Sequence, residues 1–172
     1  MRRRGEVAGL PVVVIDSGRT LGHVKDAVFD LGRGRLTGLI VSCRGGDAFL
    51  TFDEVHNLGQ TAVTVGAEAV LVPMPAAAAG EASATTESAG PFPKGRRVLT
   101  RDGQVLGQVD DVIFDPDSGA VWGYEITGGF ISDFINGRKA VPLTEEIVIG
   151  PDAVIVPEAD EVRPADEGGM KA

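Results

Sequence analysis

Gly18-Arg-Thr-Leu-Gly-His-Val-Lys-Asp-Ala-Val-Phe-Asp30 is written again as Gly103-Gln-Val-Leu-Gly-Gln-Val-Asp-Asp-Val-Ile-Phe-Asp115. The offset of 85 residues runs without a gap from Gly18–Val41 onto Gly103–Ile126. Leu21/Leu106, Gly22/Gly107, Val24/Val109, Asp26/Asp111, Phe29/Phe114, Gly34/Gly119 and Gly38/Gly123 coincide. So long a period reads as two whole domains, since solenoid repeats are roughly 20–50 residues. The expected boundaries are residues 5–73 for the first copy, 74–91 for a flexible linker, 92–157 for the second copy and 158–172 for a disordered acidic tail. The middle stretch is Ala-, Ser-, Thr- and Glu-rich and offers almost nothing to bury.

Working outward, short apolar runs are broken by Gly, Asp and Pro, with no sustained helical period. That is the pattern of small all-β domains. In the first copy, strands are expected near Val12–Ile15, Gly22–Asp30, Leu36–Cys43, Ala48–Phe52, Ala62–Val65 and Ala69–Val72. In the second they are expected near Arg97–Thr100, Gly107–Asp115, Ala120–Thr127, Lys139–Leu143, Glu146–Ile149 and Ala153–Val156. The first strands are aligned as Val13-Val14-Ile15 on Val98-Leu99-Thr100. In the long second strand, Val24, Asp26 and Val28 share one face while Ala27 and Phe29 share the other. Either both faces are buried or a bulge near Asp26 and Asp111 shifts the register. Gly22, Gly38, Gly107 and Gly123 would permit sharp bending there.

The net charge is −9. Residues 1–73 are neutral, and the acidic excess lies further along. Neither copy is basic, which argues against an extensive nucleic-acid footprint, and no direct DNA binding is expected. Arg2-Arg3-Arg4 is the one basic cluster and reads as a solvated tail. Gly9 and Pro11 interrupt the apolar run that follows, and the repeat makes that run a strand, so it is not read as a signal peptide. No stretch approaches the roughly 20 apolar residues that span a bilayer. Cys43 is the single cysteine, so neither copy has an intrachain disulfide, which fits a reducing cytoplasm.

The pattern Asp-x-Gly-x-x-Leu-Gly-x-Val-x-Asp-x-x-Phe-Asp, followed by a Gly turn and a strand, resembles the PRC-barrel family. That family includes the cytoplasmic domain of the photosynthetic reaction-centre H subunit and the C-terminal domain of the ribosome maturation factor RimM. The resemblance covers both copies and lies in fold-setting residues. It implies two small, strongly bent β-barrels in tandem that act as a protein-interaction or assembly module. A RimM-like factor that binds a ribosomal protein is the alternative. The chain lacks the H subunit's membrane-spanning helix and RimM's different first barrel, so neither role carries over directly.

Catalysis, cofactor and metal find no support in the residues. His23 and His56 read as surface residues, and Cys43 as a small, partly buried hydrophobe. No Cys/His set has zinc spacing. Asp115-x-Asp117-x-Gly119 lacks the later ligands of an EF-hand loop and reads as an Asp-Pro turn. Asp110 and Asp111 point to opposite faces of a strand. No catalytic, cofactor-binding or metal-binding residue is therefore assigned, and the chain is not read as an enzyme.

Partner binding is expected where the copies disagree. After its third strand the second copy carries an insertion, residues 128–137, in which Phe130, Ile131, Phe134 and Ile135 fall on one side of a short helix. It reads either as a cap or docking segment for the barrels, or as an interface for an external protein. Trp122 and Tyr124 replace Thr37 and Leu39 on one face of a strand. Core packing is the plainer reading of that pair, and a binding surface the sharper one. Self-association and a ribosomal component both remain open as partners.

Overall fold

The computed structural model describes residues 1–67, 70–74, 92–128, 139–158 and 163–164. Among these, regular structure consists of strands and two single-turn 3-10 segments. The first sheet is built from β2 (Pro11–Val14), β3 (Thr20–Asp30), β4 (Arg35–Cys43), β5 (Gly46–Thr51), β6 (Val55–Leu58), β7 (Val63–Val65) and β8 (Leu71–Pro73). Before it come β1 (Arg2–Arg3) and the 3-10 turn η1 (Arg4–Glu6), and η2 (Phe52–Glu54) separates β5 from β6. The second sheet contains β9 (Arg97–Thr100), β10 (Val105–Phe114), β11 (Val121–Thr127), β12 (Lys139–Pro142), β13 (Val148–Ile149), β14 (Ala153–Val156) and β15 (Arg163–Pro164).

Both sheets use one topology. Strand order is β6-β7-β2-β3-β4-β5-β8 in the first and β13-β14-β9-β10-β11-β12-β15 in the second. In each, the first strand pairs parallel with a late one: Val12 with Val63, and Val98 with Val154. Neighbours along the chain pair antiparallel. Each sheet curls strongly into a small barrel whose buried residues are mainly apolar, with Asp30, Thr100 and Glu125 the buried polar ones among the described residues. Val12, Val24, Leu39, Val41, Leu50, Val63 and Val65 are buried in one. Val98, Leu106, Val109, Tyr124, Ile126, Val141, Val154 and Val156 are buried in the other.

The expected bulge exists. Register shifts between Val24 and Asp26, so Val24 opposes Val41 while Asp26 opposes Ile40. The Asp26 carboxylate accepts the backbone N–H of Ala27 at 2.7 Å. Asp111 does the same for Val112 at 2.8 Å in the other copy. In both copies the repeated Asp thus satisfies the backbone donor that follows it, and at Asp26 this falls beside the register shift.

Four readings change. The first strands align one residue away from the gapless offset. Val12 opposes Gly22 and Val98 opposes Gly107, so Val12, not Val13, is the counterpart of Val98. Val12 and Val98 are both buried, as are Val14 and Thr100. The extra residue sits in the following turn, where Gly18 N–H donates to Val14 but Gly103 N–H donates to Thr100. A one-residue slip exchanges the faces of a strand, so the buried pattern fixes the alignment.

Second, Arg2–Arg4 is not a free tail. The Arg2 guanidinium donates to the carbonyls of Leu58 and Gly59. Arg4 pairs with Asp26 at 2.6 Å and lies over the Phe92 ring at 4.7 Å from its centroid. Third, β6 has no counterpart among the expected strands, because Val-His-Asn-Leu carries little strand signal. Fourth, Gly38 and Gly123, expected as bending points, also answer close approach. A Cβ there would collide with the carbonyl oxygen of Leu50 or of Val141 on the next strand. Arg163–Pro164 pair with β12 within the stretch read as a tail.

Compactness divides the chain into two units that do not follow the repeat. One holds Arg2–Phe92 with Phe114–Val121, and the other Met1, Pro93–Ile113 and Trp122–Ala172. The hairpin tip Phe114–Val121 therefore belongs with the strands of the first sheet.

Candidate functional site

Within the unit formed by Arg2–Phe92 and Phe114–Val121 lies a cleft of about 460 Å³. Its lining comes from η2 (Phe52, Asp53), β6 (Val55–Leu58), Arg35 at the start of β4, and the turn Pro116–Ser118. This volume falls within the ~300–1,000 Å³ typical of ligand sites.

Local chemistry explains how the walls are held. Asp115 caps its own turn, its carboxylate accepting the N–H groups of Asp117 at 2.8 Å and Ser118 at 3.2 Å. Those two hydrogen bonds, Asp117 first, hold the Asp115 carboxyl below its ordinary value. Gly119 closes the turn at φ 72°, and its N–H returns to the Asp115 carbonyl at 2.8 Å. The Phe52 ring lies directly against Gly119, where a Cβ would meet Cε1 at 2.8 Å. A glycine is needed there on both counts. β6 is the end strand of its sheet, and His56 is its bulged residue, without a register partner on β7.

The electrostatics are unbalanced. Asp53 and Asp117 are both exposed, and neither carboxylate forms an ion pair with another described residue. The exposed Arg35 guanidinium is likewise outside every ion pair in the unit. Elsewhere in the same unit some charges are matched, as in Lys25–Asp47 at 2.6 Å. Such a cleft offers charged and aromatic contacts to something outside it. Among the described residues, no three His, Cys, Asp or Glu side chains are grouped to hold a metal ion.

Of the residues singled out from sequence, Trp122 and Tyr124 lie in the other unit. Tyr124 is fully buried, its hydroxyl enclosed without a hydrogen-bond partner. Burial raises its pKa above the ordinary 10.0. Trp122 is half-buried against Ile113 and Ala140. In the first sheet the matching cluster is Val28 and Ile40 with Phe49 and Met74. By register, Phe49 corresponds to Ala140 and Thr37 to Trp122. One copy fills this layer with a ring from its fourth strand, the other with a ring from its third. Phe130, Ile131, Phe134 and Ile135 lie outside the described residues.

Sequence reading missed the cleft because its walls come from three separated stretches and one unrecognised strand. The signal available is the Asp-Pro-Asp-Ser-Gly turn, whose residues alone specify only a turn.

Comparison with known proteins agrees with the repeated topology. The family model described as PRC-barrel domain matches twice, over residues 1–82 and 86–163. A relative is the uncharacterized protein YrrD of Bacillus subtilis (strain 168). It is 26% identical over 157 residues, covering 86% of this chain and 82% of that protein. Among the described residues no helix is long and apolar enough to cross a membrane. With matching strand order in both sheets and the family pattern found over each, the chain belongs to the PRC-barrel family as a tandem of two such domains.

Proposed function

We propose that this chain is a non-catalytic protein-interaction module that holds a protein partner in the cytoplasm. The observation that carries the reading is where the polar chemistry lies. Both barrel interiors are filled mainly by apolar side chains, with Asp30, Thr100 and Glu125 as the buried polar exceptions among the described residues, while Arg35, Asp53 and Asp117 line an outward cleft without ion pairs to other described residues. A barrel packed in this way offers its surface rather than an interior reaction chamber. PRC-barrel domains are generally non-catalytic, which supports the same reading. The single Cys43 agrees with a reducing compartment.

The test is affinity purification of the full chain from its native cell, followed by reconstitution with each candidate as purified protein. A stoichiometric complex with at least one candidate is expected. Failure of every purified candidate to bind would overturn the reading. Reconstitution with a purified ribosomal protein would place the module in ribosome maturation.

A further inference from the structure

We infer that the cleft bounded by Phe52, Asp53, His56 and Asp117 receives an arginine side chain presented by the protein partner. The inference rests on the interaction-module reading and names what that partner must display. Three observations carry it. First, the carboxylates of Asp53 and Asp117 line one cleft and neither has a cationic partner among the described residues. Second, Phe52 lines the cleft beside them, with its ring held against Gly119. A planar guanidinium can lie over an aromatic face while donating to carboxylates, whereas an ammonium is a compact point charge. Third, the same unit already makes this arrangement internally. Arg4 lies over Phe92 at 4.7 Å and pairs with Asp26 at 2.6 Å. The cleft repeats the aromatic and carboxylate halves of that set, and the one guanidinium in its lining, Arg35, pairs with neither carboxylate.

The chain's net charge of −9 would draw a basic partner toward it at low salt. Arg35, the cation already in the lining, opposes such a ligand. Its removal should therefore strengthen binding, an effect that a merely structural role would not produce.

The experiment titrates the full chain with the capped peptide acetyl-Gly-Ser-Gly-Arg-Gly-Ser-Gly-amide, followed by backbone amide NMR. Matched peptides carry citrulline, lysine or glutamate at the central position. Shifts at residues 52–58 and 116–118 are expected with arginine. Citrulline should bind about tenfold more weakly, close to the loss of one charge-assisted contact. Asp53→Asn with Asp117→Asn should weaken the arginine peptide to a similar extent, and Arg35→Gln should tighten it. All of these residues are exposed, and circular dichroism checks the fold of each variant. Equal binding of arginine and citrulline, or shifts confined to other residues, would overturn the assignment. So would unchanged affinity in the double Asn variant. If a reconstituted partner still binds that variant at full affinity, the cleft assignment falls while the interaction reading stands. Failure to reconstitute any partner overturns the interaction reading itself.

Discussion

Phe29 and Phe114, counterparts in the two copies, meet edge to face with ring centroids 5.2 Å apart and planes 68° apart. Around them the contacts are reciprocal. Leu36 N–H donates to the Gly119 carbonyl at 2.7 Å, and Val121 N–H donates to the Gly34 carbonyl at 2.7 Å. Arg35 and Ala120, also counterparts, form an antiparallel bridge. Each contact is the image of the other under the 85-residue shift. The two hairpin tips therefore pair in the isologous manner of a two-fold contact. The repeated Phe-Asp followed by a glycine turn builds both sides of it.

The ring pair should be energetically coupled. In urea unfolding of Phe29→Ala, Phe114→Ala and the double variant, each single change should cost about 3–5 kcal/mol, because both side chains are buried. The double variant should cost less than their sum by about 1 kcal/mol. Strict additivity would show that the rings do not support one another.

Gly38 and Gly123 test close approach of strands. Alanine at either position should destabilise by about 1–3 kcal/mol, because the new methyl meets a carbonyl on the adjoining strand. Gly45→Ala, with open space around it, is the control and should change thermal stability little.

These results separate what the residues announced from what they concealed. The bulge at Asp26 was legible because the apolar pattern changes phase there, and a period of two cannot. The one-residue slip in the first strand was not, since Val12, Val13 and Val14 are alike and only burial distinguishes them. Arg2–Arg4 looked like a tail because no local pattern reveals contacts with Leu58, Gly59 and Asp26. The cleft was hidden for the same reason. Trp122 was conspicuous as the single tryptophan, yet its partner in explanation is Ala140, whose small size leaves the room that Phe49 fills in the other copy.

Tyr124→Phe should be neutral or stabilising by up to about 1 kcal/mol. It removes a hydroxyl that is enclosed without a partner and leaves the ring in place. The wild-type phenol, the only one in the chain, should resist ionisation in an absorbance titration at alkaline pH until the fold opens. Its folded pKa is raised by burial, so stability is unaffected below the ordinary value of 10.0 and falls as pH rises above it. Ordinary titration of the folded protein would show that the ring is accessible.

Asp115 sets the acid side. The N–H groups of Asp117 and Ser118 favour its charged form, so its folded pKa lies below the ordinary 3.8. The associated stability is present above that value and is lost as pH falls through the depressed folded pKa. Asp115→Asn should lower the urea midpoint at pH 7 and flatten the fall in midpoint between neutral pH and pH 3. An equally steep fall in the variant would remove Asp115 from this role.

The most direct measurement is hydrogen–deuterium exchange of the full chain, alone and with its reconstituted protein partner. Slowed exchange concentrated at residues 52–58 and 116–118, and relieved by Asp53→Asn with Asp117→Asn, is the expected result. Protection confined to other surfaces, with these two segments exchanging as in the free chain, would contradict the account.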